Sequence, residues 1–405
     1  MTSTPHLRSA PSPATPASTS PLLFSILNTL TYPHILFIGV PSLAYSTLKY
    51  LLSPRPFASW SLSEALFIRY KKVQNGPSSF VLPPLPPYSE EWTVPATQFN
   101  TVSQDELKRI DIEVVSVPPV PAGMQTGIAL CPGVESVLRP GFWLTPDTSK
   151  GRADEKAKEG EKVVLHLHGG GYVRGHPLWI DCPHGIALTL DQRLFSMNYR
   201  KCLSDSTAFP APLLDALAGY IYLTRTLSFP PEAITLIGES AGAHLCLILS
   251  RYLSDLSLPQ PGRLVLISPW ADFMMNPADL RGTYASYADY DFLLPDRLAM
   301  GARSATRHYT PEMVRGAYFS PALARAGEYT YLGDWDDAKR TRVMLVYGTK
   351  EVFEDEDKAV VAGMIRDRVD VAVYTDIDGW HTKVSGEPVA NKKFRQGLLE
   401  WSSAA

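Results

Sequence analysis

AITLIGESAGAHLCLILSRYL, residues 233–253, decides the fold. Its first seven residues are a nearly continuous apolar run of strand length, and Ala241 to Leu253 continues with helical spacing. Between them lies Gly238-Glu239-Ser240-Ala241-Gly242, a serine on a strand-to-helix bend. A GxSxG pattern alone is a chance motif. Here the strand before it and the helix after it supply the context in which a nucleophilic serine is lifted above a sheet edge. Gly238 and Gly242 are small because the backbone of so sharp a bend is crowded.

Upstream, VVLHLH (163–168) is a second strand and runs directly into HGGGY, His168 to Tyr172. Three glycines in succession (Gly169, Gly170, Gly171) let two backbone N–H groups point into a cavity where a tetrahedral oxyanion would form. A phosphate cradle would need a following GK[ST] or a GxGxxG pattern, and neither is present. RLFSMNY (193–199), RLVLIS (263–268), RVMLVYG (342–348) and DVAVYT (370–375) repeat the strand pattern, while RIDIEVVSV (109–117) alternates as a half-buried strand does. Helical segments at 211–226, 241–253, 357–368 and 391–402 fall between or after them. This rhythm predicts an α/β fold, a mostly parallel central sheet flanked by helices, over residues 109–405. The charged run 147–162 reads as a solvent-exposed hairpin loop. Residues 273–341, polar, aromatic and proline-punctuated, break the rhythm and read as a lid insertion.

A serine hydroxyl needs a base, and the base an orienting carboxylate. Three histidines follow Ser240: His244, His308 and His381. His244 is one helical turn beyond the serine and reads as packing, and His308 falls in the insertion. His381, in DIDGWHTK just past the last strand, is the expected base. The acid is expected in GTKEVFEDED (348–357), three residues past the strand end at Glu351. Asp355 is the alternative, although acids in a first helical turn also simply favour the helix dipole. Asp376 and Asp378 are too close to His381 in sequence to orient it easily.

The whole chain has 405 residues, 45% hydrophobic and 20% charged, with net charge −3. That excludes a disordered protein, and no basic block marks nucleic acid as a partner. Four scattered cysteines (Cys131, Cys182, Cys202, Cys246) form no CxxC pair and read as buried thiols rather than a zinc site or disulfide framework. Residues 1–21, rich in Ser, Thr and Pro, read as a disordered tail. Residues 22–52 form an apolar stretch whose first charge is Lys49. It reads as a membrane anchor, as a pair of apolar helices capping the site and resting on a membrane surface, or as a signal peptide. Cations downstream of it (Lys49, Arg55, Arg69, Lys71, Lys72) against Arg8 upstream, and the lack of an Asn-x-Ser/Thr sequon, favour a membrane-associated, intracellular enzyme with its catalytic part on the cytoplasmic side. Residues 53–108 read as a proline-rich connector or cap.

With these motifs in order, the sequence resembles the hormone-sensitive-lipase family of α/β-hydrolases, including fungal steryl acetyl hydrolase-like members. The resemblance covers roughly residues 160–400. It includes HGGGY, NYR (198–200), FPAPLLDAL (209–217), GESAG, SPWAD (268–272), GTKEVFEDE and GWH (379–381). It implies the α/β-hydrolase fold with a helical cap, Ser240 as nucleophile, Glu351 as acid and His381 as base. The N–H groups of Gly170, Gly171 and Ala241 would form the oxyanion hole, supported by His168, Gly169, Gly238 and Gly242. The implied chemistry is hydrolysis of a small-molecule carboxylic ester with no metal or organic cofactor. The apolar N-terminus with the aromatic-rich insertion (Tyr284, Tyr287, Tyr290, Phe292) favours a lipophilic one, such as the acetyl or short-acyl ester of a sterol or secondary metabolite. Acyl transfer, amide deacetylation and a non-catalytic ligand receptor are the alternatives. Two departures stand out: the family acid is usually Asp where this chain has Glu351, and Glu239 replaces the usual Asp in the elbow. YRKCLSDSTAFP (199–210) also replaces the family's usual YRLAPEHPFP.

Overall fold

A computed structural model describes residues 19–55, 57–95, 101–149, 151–333 and 340–403. The tail expected over 1–21 lies outside them as far as residue 18. Ser20 already caps a helix, accepting a hydrogen bond from the Leu23 N–H at 3.3 Å.

Eight strands form one sheet: β1 (Ile110–Val117), β2 (Arg139–Pro146), β3 (Val163–Leu167), β4 (Arg193–Met197), β5 (Ile234–Glu239), β6 (Arg263–Ile267), β7 (Arg342–Gly348) and β8 (Val371–Asp376). Their order is β1-β2-β4-β3-β5-β6-β7-β8. β1 and β2 are antiparallel to each other, β2 is antiparallel to β4, and β3 to β8 run parallel. The main helices are α1 (Pro21–Leu52), α2 (Leu62–Val73), α3 (Cys182–Leu190), α4 (Ala211–Ile221), α5 (Ala241–Asp255), α6 (Pro295–Ala305), α7 (Glu354–Arg366) and α8 (Pro388–Ser403).

The continuous apolar strands divide by parity, because successive side chains point to opposite faces. Leu165, Leu236, Leu264, Leu266, Val343 and Leu345 join the core under α4, α5 and α7. Val164, Ile237, Val265, Ile267, Met344 and Val346 face α3 and α8 instead. Both faces being covered, neither could tolerate the polar alternation of an open sheet. Burying one such Leu or Val contributes about 1.5–3 kcal/mol.

Two sequence readings need correction. The run 147–162 is not a hairpin loop, because β4 lies between β2 and β3 in the sheet. It is pinned rather than free: the buried Arg193 guanidinium, stacked on Trp143 and Phe229, donates to Glu161 at 2.8 Å and to the Glu155 carbonyl at 3.1 Å. Strand β2 itself, RPGFWLTP, is buried throughout although two prolines and a glycine disguise it. Gly141 is needed there because a Cβ would fall 2.1 Å from the Phe195 ring. Residues 21–52 are a single helix, not a pair. A π-helical turn at Ile35–Gly39 lies between Pro33 and Pro41 and closes with the Val40 N–H donating to the Ile35 carbonyl. This helix is long and apolar enough to cross a membrane, and almost none of it is buried.

Candidate active site

The strand order reverses at β3, whose neighbours are β4 and β5. A crevice therefore opens beyond the carboxyl ends of β3 and β5, where helices leave to opposite faces. Both glycine-bearing motifs emerge there.

Ser240 turns the chain from β5 into α5 with φ 56° and ψ −120°, a strained conformation for a residue with a side chain. Its N–H donates to the Ile267 carbonyl at 2.8 Å, and its carbonyl accepts from the Trp270 N–H at 3.3 Å. The bend is possible only because its flanks are bare. A Cβ on Gly242 would lie 2.0 Å from the Leu167 carbonyl oxygen, and one on Gly238 would lie 2.5 Å from the Gly242 backbone.

The loop after β3 is set by Gly170 at φ 118° and Gly171 at φ 61°. The Gly169 N–H donates to Glu239 Oε1 at 3.1 Å, and the N–H groups of Gly170 and Gly171 have no hydrogen-bond acceptor among the described residues. Glu239 also meets His166 Nε2 at 2.9 Å, and His166 Nδ1 meets Ser196 Oγ at 2.6 Å. This buried chain ties β4, β3, the glycine loop and the serine bend into one polar unit. His168 stacks on Tyr199, its Nδ1 2.7 Å from the Gly169 carbonyl. Burial holds its pKa well below the ordinary histidine value, so the ring is a neutral strut.

His381 and Glu351 meet at the same sheet end. His381 Nδ1 lies 3.5 Å from Glu351 Oε2, with side chains 3% and 0% exposed. That is slightly long for a hydrogen bond, as such contacts often are without substrate. The rings of Phe353 and Phe292 present edge-on at 4.8 and 5.8 Å. Asp355, the alternative acid, is exposed and turned elsewhere: its Oδ2 accepts from the Thr283 N–H at 2.9 Å. His244 is buried against Phe273, with Nδ1 2.7 Å from the Tyr172 hydroxyl, and His308 Nε2 meets the Asp205 carbonyl at 2.7 Å.

Two carboxylates near the pair carry no clear signal in the sequence. Asp291, fully buried, comes from the 273–341 insertion and accepts the backbone N–H groups of His381, Val352 and Leu293 at 3.2, 3.0 and 3.1 Å. Asp357, also fully buried, lies close enough to Glu351 to feel its charge. Among the described residues, no donor other than His381 Nδ1 approaches the four oxygens of Glu351 and Asp357. Burial first, then the adjacent Glu351 charge, pushes the Asp357 carboxyl well above the usual range, which favours its protonated form. Asp357 hides in a run, GTKEVFEDED, that looks like ordinary first-turn helix chemistry.

Cover comes from two sides. On α6, a Cβ at Gly301 would lie 2.8 Å from the Gly171 carbonyl, so this helix rests on the glycine loop. From the N-terminal part, Trp60 packs edge-on against Trp380, its ring centroid 5.6 Å away, and its Nε1 donates to the Asp378 carbonyl at 2.7 Å. Ser59 donates to Asp378 Oδ2 at 2.6 Å, and Lys383 pairs with Glu64 at 2.9 Å. The proline-rich stretch is likewise laid onto the body: Glu91 pairs with the buried Arg139 at 2.8 Å.

A family model described as the alpha/beta hydrolase fold matches residues 164–384, and the chain belongs to that family. It is an enzyme of the esterase and lipase type, similar to those related to hormone-sensitive lipase. An acetyl-hydrolase of Streptomyces hygroscopicus is 34% identical over 204 residues, which are 49% of this chain and 67% of that protein. Esterase LipU of Mycobacterium tuberculosis is 33% identical over 112 residues, 27% of this chain and only 35% of that protein. Among solved structures, carboxyl esterase 2 of the fungus Tuber melanosporum superposes with a TM-score of 0.56 at 18% identity, covering 76% of this chain and 87% of its own. The hormone-sensitive-lipase homolog EstE7, from a metagenome library, gives 0.54 at 20% identity over 73% and 86%.

Proposed function

We propose that the chain hydrolyses a carboxylic ester through an acyl-serine intermediate. His381, with Nδ1 turned to Glu351, takes the Ser240 proton at Nε2 as Oγ attacks the ester carbonyl. The N–H groups of Gly170, Gly171 and Ala241 receive the oxyanion. His381 then returns the proton to the departing alcohol, and water, deprotonated by the same histidine, releases the acid. The observation that carries this reading is the buried Glu351–His381 contact at the sheet end where the strained Ser240 bend emerges.

The substrate is a short-acyl ester, an acetate foremost, of a lipophilic alcohol. The similarity to an acetyl-hydrolase supports the acyl half, and the exposed apolar α1, long enough to meet a membrane, supports the alcohol half. The test is turnover of p-nitrophenyl esters from acetyl to palmitoyl, with fluorophosphonate labelling, for the wild type and Ser240→Ala. The expected result is Ser240-dependent labelling and turnover that falls as the acyl chain lengthens. Full esterase activity in Ser240→Ala would refute the assignment.

A further inference from the structure

The membrane reading above treats α1 only as an apolar helix; its contacts say how it would meet a bilayer. One stripe of α1 touches the body from end to end. The Ser78 hydroxyl donates to Asn28 Oδ1 at 3.3 Å, Thr31 lies where a Cβ on Gly76 would be (2.5 Å), and Gly39 lets Val73 approach to 3.4 Å of its own Cβ position. Farther along, Arg69 donates to Ser42 Oγ, and the Tyr50 hydroxyl donates to the Trp60 carbonyl at 2.8 Å. The positions 28, 39 and 50, and likewise 31 and 42, repeat every eleven residues, close to three helical turns, so they share one side of the helix. Just before the helix, the Thr19 N–H donates to the Leu82 carbonyl at 3.1 Å.

From Asn28 to Tyr50 this stripe runs about 33 Å, more than the ~30 Å hydrocarbon core of a bilayer. The widest intervals between neighbouring contacts, Thr31 to Gly39 and Ser42 to Tyr50, are only ~12 Å each. A crossing orientation would drag α2, with Glu64, Arg69, Lys71 and Lys72, and the irregular backbone of 76–82 through hydrocarbon, where unsatisfied polar groups are costly. The opposite side of α1 is a ridge of large apolar side chains, among them Leu22, Phe37, Tyr45, Leu51 and Leu52, each 64–81% exposed. The first 63 residues contain three cations (Arg8, Lys49, Arg55) and no carboxylate. An anionic lipid surface complements that charge, whereas a second copy of the ridge offers no acid to meet it.

We infer that α1 lies in the plane of one leaflet as a monotopic anchor, its outer ridge among the acyl chains and its inner stripe against α2 and residues 76–82. The partner is an anionic lipid leaflet. Because Tyr50 holds Trp60, and Trp60 covers the His381 loop, the covered site faces that leaflet, and its substrate is an ester dissolved there. This rests on the membrane reading above, not on the catalytic assignment.

Full-length protein carrying a single added cysteine at Leu22, Phe37 or Leu51 tests it. The four native cysteines are buried, so a polarity-sensitive thiol dye marks the added one. With vesicles of phosphatidylcholine and phosphatidylglycerol, nitroxide lipids should quench all three positions at one shallow depth. Quenching deepest at Phe37, with Leu22 and Leu51 at opposite headgroup levels, would overturn the in-plane geometry. Shielding of the three dyes without vesicles in a dimer would assign the ridge to a second copy. Phe37→Glu with Leu48→Glu should cut vesicle binding at least about tenfold and leave hydrolysis of soluble p-nitrophenyl acetate unchanged. Failure of the wild type to float with vesicles while hydrolysing that ester would sink the membrane reading and spare the catalytic one.

Discussion

Replacing Asp357 probes the acid end of the proposed triad without touching the reacting atoms. Glu351 is fully buried, and among the described residues Asp357 is the neighbour placed to donate to it apart from His381. Asp357→Ala removes that donor and leaves a buried carboxylate underserved. A hydrogen bond to a charged group is worth about 1.5–3 kcal/mol, so kcat for p-nitrophenyl acetate should fall about ten- to a hundred-fold. Asp357→Asn keeps an N–H donor of the same reach and should remain within a few-fold of wild type. The pH profile separates positioning from mere packing. Loss of that donor should alter the pH dependence of kcat/KM in Asp357→Ala and leave it as in the wild type in Asp357→Asn. Stability carries a second signature. Since the native pKa of Asp357 is raised, its contribution is fully present below the usual carboxylate range and is lost as pH rises toward the native value. Asp357→Asn should therefore flatten that decline, and gain on wild type in urea titrations as pH is raised above about 4. Wild-type kcat and an unmoved profile in Asp357→Ala, or equal damage from Asn and Ala, would refute the shared-proton account.

Ser240→Ala should lower esterase turnover by several orders of magnitude and abolish fluorophosphonate labelling, while thermal melting stays close to wild type. Gly242→Ala forces a Cβ to 2.0 Å from the Leu167 carbonyl, so circular dichroism should show a loss of about 3 kcal/mol or more, or no folded protein. Glu239→Ala strands the Gly169 N–H and His166, and should cost about 1–3 kcal/mol of stability together with kcat; Glu239→Gln should recover most of the stability. Trp60→Ala removes the Asp378 hydrogen bond and the edge contact with Trp380. Hydrogen exchange over 376–383 should then quicken, with kcat falling more than KM rises.

What was legible in the sequence follows from how local each signal is. The parallel strands showed because full burial makes them continuous apolar runs, and the serine bend because Gly238 is required by the Gly242 backbone four residues on, although Gly242 itself is required by the distant Leu167 carbonyl. Strand β2 did not show, since its prolines and glycine mimic a turn and its burial is supplied by β1 and β4 from elsewhere in the chain. The run 147–162 looked free because charge suggests solvent, whereas Arg193, over thirty residues away, organises it. Asp357 was hidden by company: in a run of four acids, only packing distinguishes the one that faces Glu351 from Asp355, which faces Thr283. Asp291 could not be read at all, because its partner is the backbone of His381, ninety residues downstream.

The position of His381 is thus a long-range product. Its own loop, 376–383, is short and follows the last strand. Among the described residues it is held by Asp291 from the insertion, by the Ser268 hydroxyl, which accepts from the Thr382 N–H at 3.1 Å, and by Ser59, Trp60 and Glu64. The last three lie outside residues 164–384, the part matching the family. The serine bend and glycine loop, by contrast, are braced by strands inside that part. A family member could therefore keep its nucleophile and oxyanion donors while changing what clasps the base. In this chain the clasp is continuous, through Trp60 and Tyr50, with the apolar helix α1. Displacing α1 should act on the base before it acts on the serine: fluorophosphonate labelling, which needs an activated Ser240, should slow while the melting of the core sheet is unchanged.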